Sequence, residues 1–157
     1  AAAMMRVLNP YATVSDVITT LKRTASRPAG TGWTSDLGWG ILNAGAALNT
    51  IRAIDRLAPV SRLSAPRTAR RRVFVLRWSG HDPSLPKLIP SGIARFDIYA
   101  RAGNARARLI ASTSGHTLRF RGRAGVRYRF FAVAVDRAGN RESRPYTATT
   151  RVVRGAR

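Results

Sequence analysis

The chain is 157 residues long with 45% hydrophobic content and no cysteine, which allows one ordinary domain or two small ones and excludes disulfides, thiol nucleophiles and cysteine-ligated metals. Its 28 lysines and arginines against seven acidic residues give a net charge of +21, and only Lys22 and Lys87 are lysines. No run approaches the ~20 apolar residues of a membrane-spanning helix, and the apolar residues 1–5 lack the length and basic flank of a signal peptide; a chain that opens in mid-helix reads as a piece of a longer one.

The charge is unevenly placed. Residues 1–54 hold five basic and two acidic side chains, whereas residues 55–157 hold 23 and five. Arginine in such excess pairs bidentately with phosphate and carboxylate, which points to binding of a polyanion. The plainer reading is solvated surface arginine, because these residues are spread along the chain rather than gathered in one stripe.

Residues 1–9 read as the end of a helix rich in small residues, with Met4, Met5 and Leu8 as its bulky positions, stopped at Asn9-Pro10 because the proline ring cannot continue it. Thr13-Val14-Ser15-Asp16 is a capping signature, and Val14, Val17, Ile18 and Leu21 recur at helical spacing, predicting an amphipathic helix over 14–25 that ends in Lys22 and Arg23. Residues 26–35, with Pro28, Gly30 and Gly32, predict a loop. Gly38-Trp39-Gly40 then sets two permissive glycines around a large aromatic, Ile41 and Leu42 predict a short buried extended run, and Asn43 is a good N-cap for a helix carrying Ala44, Ala47, Leu48, Ile51 and Ile54.

Taken in order, the small-residue helix, Asn9-Pro10, the Thr13-capped helix and Asp36-Leu37-Gly38-Trp39-Gly40-Ile41-Leu42-Asn43-Ala44 resemble the C-terminal end of the catalytic domain of subtilisin-like serine peptidases. The resemblance covers residues 1–54 and implies a helical remnant of an α/β domain, with Gly38, Trp39, Gly40 and Asn43 as structural family positions. It implies a parent that hydrolyses peptide bonds in protein or peptide substrates, is secreted or associated with the cell envelope, and has the rest of its peptidase domain upstream of Ala1. The family's Gly-Thr-Ser-x-Ala nucleophile segment is absent here, as are its aspartate, histidine and oxyanion-hole asparagine. A triad needs a base held by an acid beside a serine, and His81 and His116 lie outside the matching segment without such a motif. No catalytic, cofactor-binding or metal-binding residue is therefore assigned, and the chain alone is expected to be inactive.

Residues 55–72 carry proline, serine and charge without sustained periodicity and predict a linker. Within it, Arg70-Arg71-Arg72 reads as a processing site, an anion contact or a solvated strand entry. From Val73 the period changes to two, predicting a separate β domain over 73–157 and an α+β chain overall. Phe74, Leu76 and Trp78 form one inward set; Phe96, Ile98 and Ala100 another; Leu118 and Phe120 a third; and Tyr128, Phe130, Ala132 and Ala134 the longest. Residues 80–92 form a turn-rich loop, short strands fall over 109–112 and 117–121, Asp136-Arg137-Ala138-Gly139-Asn140 turns the chain, and a last strand runs over 145–153.

Six or seven short strands argue a β-sandwich. Trp78-Ser79-Gly80-His81-Asp82, Phe96-Asp97-Ile98 and Tyr128-Arg129-Phe130 running to Asp136 resemble the strand and turn signatures of fibronectin type III or bacterial immunoglobulin-like modules. The resemblance gives Trp78, Tyr128 and Asp136 structural roles, Tyr128 as a tyrosine corner. On the opposite face of the Tyr128 strand, Phe131, Val133 and Val135 are apolar where water is expected, and with Tyr99 they form a candidate docking surface for the peptidase domain, a second copy or a polysaccharide. Partial cover by arginine stems is the alternative. Two other roles for the sandwich remain open, a module binding anionic wall polymer or nucleic acid and a plain spacer.

Overall fold

The computed structural model describes residues 1–27 and 32–153, and its helices and strands fall into two compact units. The helical unit comprises residues 1–57 together with 84–91. The second unit takes 58–83 and the strands from 92 onward.

In the helical unit, α1 spans Ala2–Leu8, α2 Val14–Thr24 and α3 Ala44–Arg52. Thr13 caps α2 through a reciprocal pair: its hydroxyl accepts from Asp16 N at 3.1 Å, and its own N–H donates to the Asp16 carboxylate at 2.8 Å. Asn43 caps α3, its side-chain oxygen accepting from Ala46 N at 2.9 Å. The core is small, built from Met5, Ala12, Val17, Ala47 and Ile51 with Leu8, Leu21, Leu48 and Ile54 at its edge. Asn9 does more than end a helix. Fully buried, it donates from Nδ2 to Ile51 O at 2.9 Å and Ile54 O at 2.8 Å, and its Oδ1 accepts from Tyr11 N at 3.2 Å. One amide side chain therefore ties the exit of α1 to a carbonyl in the last turn of α3 and to one just beyond its end.

Two expectations for this unit are corrected. Ile41 and Leu42 are exposed, Ile41 to 68%, rather than buried. Ile41 exchanges both backbone hydrogen bonds with Ser26, and its side chain points away from the five-residue core. Likewise Val14 and Ile18 are exposed, and only Val17 of their face is buried, since α3 and α1 offer too little surface to cover the whole apolar stripe. Of the loop expected over 26–35, residues 28–31 lie outside the described residues.

The second unit is a sandwich of strands β1 (Val60–Ser64), β2 (Thr68–Ala69), β3 (Val73–His81), β4 (Ile93–Ala102), β5 (Arg108–Thr113), β6 (Thr117–Arg121), β7 (Arg127–Asp136) and β8 (Thr147–Val152). One sheet has the order β1-β3-β6 and the other β2-β8-β7-β4-β5; every pairing is antiparallel except β2 with β8. The expected linker is thus corrected: β1 and β2 both fall within it. A five-residue strand is too short to show sustained alternation, yet Ser61 and Leu63 point inward and the strand pairs with β3 over its whole length. The connection from β3 to β4 also differs from a plain sandwich loop, because residues 84–91 belong to the helical unit. There Ile89 N donates to Arg52 O at 2.9 Å and Arg52 Nε to Lys87 O at 2.6 Å.

The inward sets expected from the alternation form one core, with Leu76, Ile98, Phe130, Ala132, Ala134 and Val152 fully buried. Phe74, Phe120, Tyr128 and Phe130 interlock, mostly edge to face, at centroid separations from 4.9 to 6.0 Å. Tyr128 also accepts a hydrogen bond at its hydroxyl from Arg123 N at 2.9 Å, closing the turn between β6 and β7. Gly122 lies under this cluster, where a Cβ would meet Val152 Cγ2 at 2.8 Å.

Candidate functional site

The Gly38-Trp39-Gly40 corner is built by the backbone. Gly38 adopts φ +56° and closes a two-bond bridge with Thr34, and Gly40 adopts φ +100°. A Cβ at Gly40 would sit 2.7 Å from Ser26 O, so the bridge between Ser26 and Ile41 requires a glycine there. Trp39 is 42% exposed: Lys22 Nζ lies 4.4 Å from its ring centre, and Arg27 reaches over it while donating from Nε to Trp39 O at 2.7 Å. These side chains hold a turn.

Asp16 carries a second task at the start of α2. Arg56 grips its carboxylate with two bonds, at 2.6 and 3.2 Å, and this pairing, helped by the Thr13 cap, lowers its pKa from 3.8 to about 2. A carboxylate depressed on folding stabilises the native state above its unfolded pKa and loses that contribution as pH falls through the folded value. Protection of the α2 and α3 amides, taken relative to their intrinsic exchange rates, is therefore expected to be constant above about pH 4, to fall progressively as pH drops toward 2, and to lose most of that dependence in Asp16→Asn.

Neither histidine forms part of a catalytic constellation among the described residues. His116 packs edge-on against Phe96 with its Nδ1 3.3 Å from Trp78 O, and His81 is an exposed residue at the end of β3. Trp78 is buried in the core with Phe96 beside it. Asp136 holds the turn after β7, accepting from Asn140 N at 2.8 Å and Asn140 Nδ2 at 2.7 Å.

The outer face of the five-stranded sheet holds the expected docking residues, and two of them are corrected. Val133 and Val135 are only 6% and 4% exposed and offer no docking surface. In the register Val135 lies between Arg95 and Arg141, and Val133 lies beside Asp97. Both arginines converge on Asp97, at 3.3 and 2.6 Å, so their aliphatic stems run over this part of the face. Burial alone would raise the Asp97 pKa, but the Ser112 hydroxyl and Arg141 guanidinium hold it below the usual carboxylate value. Tyr99 and Phe131 are half-buried and stacked face to face, 4.9 Å between centroids, with Arg141 Nη2 donating to the Tyr99 hydroxyl at 2.9 Å.

Beyond that aromatic row the same face changes character. Arg101 stands directly opposite Arg129, and Arg127 directly opposite Arg151. Arg67 and Arg106 flank these pairs, each lining a surface groove, of about 490 Å³ with Arg127 and Arg151 and of about 360 Å³ with Arg101, Arg129 and Phe131; Thr147 borders both. The strands thus gather arginines that the linear order keeps apart. The available signal was their parity: 127 and 129 share a face of β7 with Phe131, and 101 shares a face of β4 with Tyr99.

No protein-family model matches the chain, and no curated protein matches it. Among solved structures it is similar to the fibronectin(III)-like modules of CbhA from Clostridium thermocellum, at 15% identity and TM-score 0.46 over 62% of this chain and 48% of that one. It is similar also to the twitchin kinase region of C. elegans, at 17% identity and TM-score 0.45 over 62% of this chain and 17% of that one. A third likeness is to FN3tt, at 23% identity and TM-score 0.42 over 62% of this chain and 95% of that one. The chain thus matches about half the length of the CbhA modules. No helix among the described residues is long and apolar enough to cross a membrane. Residues 60–152 form a two-sheet β-sandwich with strand orders β1-β3-β6 and β2-β8-β7-β4-β5.

Proposed function

We propose that the chain is the C-terminal part of an exported subtilisin-like serine endopeptidase, in which the helical unit completes the catalytic domain and the sandwich is an appended non-catalytic module. The observation that carries this reading is the mismatch between the helical unit's core and its surface. Five apolar side chains are buried, while Met4, Val7, Val14, Ile18, Ile41 and Leu42 are exposed, Val7 to 84%. An apolar surface of this extent around so small a core fits a piece that packs against a larger body. The order of its motifs, from Asn9-Pro10 through the Gly38-Trp39-Gly40 corner to the Asn43 cap, supports the peptidase domain as that body.

The parent would cleave peptide bonds through an acyl-enzyme. In it, the residues described above position and support but take no part in bond making. The coding sequence upstream of Ala1 tests the proposal: a Gly-Thr-Ser segment about two helical turns before Ala1 is expected, and the extended product should be labelled by a fluorophosphonate serine probe while the 157-residue chain is not. Labelling of the short chain, or an upstream sequence without the serine segment, overturns it.

A further inference from the structure

We infer that the arginine half of the outer sheet face binds an extended single strand of nucleic acid, an inference that stands independently of the peptidase proposal. Like charges placed directly opposite each other on neighbouring strands destabilise a sheet, yet Arg101 faces Arg129 and Arg127 faces Arg151. Among the described residues none of the four is in an ion pair. The carboxylate on this face, Asp97, lies beyond the Tyr99–Phe131 row and is already held by Arg95, Arg141 and Ser112. Arg101 Nε is in addition buried without a hydrogen-bond partner. An anion between each pair of opposed guanidiniums offsets the repulsion within it.

The geometry favours phosphodiesters over other anions. A tetrahedral phosphate presents two free oxygens in different directions, one to each guanidinium of an opposed pair, and arginine forks match that arrangement. The two pairs lie on successive outward rows of β7, about 6.8 Å apart, and on opposite sides of that strand, which puts their centres about 8 Å apart, a span that long arginine side chains can close onto successive phosphates. Phe131 lines the groove beside Arg101 and Arg129, which places an aromatic ring where a base adjoining the bound phosphates could stack. An acidic peptide without aromatic side chains would use the arginines and leave the ring idle.

Fluorescence anisotropy with a labelled oligothymidylate, an abasic strand of equal length and polyglutamate as probes tests the assignment. Binding of the oligothymidylate is expected to weaken with salt at a log–log slope of about −1.4, two phosphates at about −0.7 each. Arg129→Ala with Arg151→Ala should reduce that slope by about 1.4, whereas Arg121→Ala with Arg123→Ala, at another part of the sandwich surface, should leave it unchanged. Phe131→Leu, which keeps an apolar side chain in place, should weaken oligothymidylate about 5- to 100-fold and leave the abasic strand unaffected. Equal effects of the two arginine double variants would mean that bulk charge, not this face, does the binding. Abasic or polyglutamate binding as tight as that of oligothymidylate would overturn the nucleic acid as occupant.

Discussion

Replacing Glu142 by alanine is expected to destabilise the sandwich by about 3–5 kcal/mol, because several buried backbone and hydroxyl groups would lose their shared acceptor. Strand β8 pairs with β7 only along residues 127–131, so the edge of β7 from Ala132 onward has no neighbouring strand to take its hydrogen bonds. Glu142 and Ser61 take that place. Glu142 N donates to Ala134 O at 3.0 Å, and its carboxylate accepts from Ala134 N at 3.1 Å, from Ser61 N at 2.9 Å and from the Ser61 hydroxyl, which also lies 3.0 Å from Ala132 O. Since Ser61 is on β1 and Ala134 on β7, this side chain joins the two sheets at the point where the ladder stops. Urea denaturation followed by far-UV circular dichroism measures the loss. Glu142→Gln keeps one acceptor oxygen but turns a donor toward other donors, and should fall between wild type and alanine. A loss below about 1 kcal/mol in Glu142→Ala would show that the edge is satisfied in another way.

Glu142 also marks where reading the sequence stops. The alternation of Phe74, Leu76 and Trp78, or of Tyr128, Phe130, Ala132 and Ala134, is legible because a half-buried strand imposes a period of two that does not depend on its partner. The caps at Thr13 and Asn43 are legible for the same reason, since their bonds run to residues three positions away. Glu142 bonds across 81 residues to Ser61, and Asn9 across 42 to Ile51, and no local pattern announces such pairings. The strand in the supposed linker was hidden by its brevity. Exposure of Ile41, Leu42, Val14 and Ile18 was hidden because hydrophobicity says that a surface wants cover, not that the chain supplies it. The arginine face was half visible: strand parity assigns each arginine to a side, but the order β8-β7-β4 that sets Arg151 against Arg127 and Arg129 against Arg101 is a property of the topology.

Asn9→Ala is expected to unfold the helical unit while leaving the sandwich intact. The substitution strands the Ile54 carbonyl that Nδ2 serves and the Tyr11 N–H that Oδ1 serves, and takes one of its bonds from the Ile51 carbonyl, which keeps Ile54 N, at a cost of about 2–4 kcal/mol. In a large domain such a loss is absorbed; here five buried apolar side chains are all that oppose it, together with the capping bonds and the Arg56–Asp16 pair. Hydrogen exchange read by mass spectrometry separates the two units in one sample. Amides of α1, α2 and α3 should lose protection in the variant, whereas those of β3, β4 and β7, whose core is built entirely from other residues, should exchange as in the wild type. Asn9→Asp is the informative second variant: it keeps the acceptor for Tyr11 N but removes the donor and brings a negative charge to two carbonyl oxygens, so it should be at least as damaging as alanine. If α3 kept its protection in both variants, the bond from Asn9 would be incidental and the small core sufficient. If the apolar surface of this unit is normally covered by a peptidase domain, the same substitution in the longer protein should cost far less protection in α1–α3, because burial of Met4, Val7 and Ile18 would then supply what the amide alone supplies in the shorter chain.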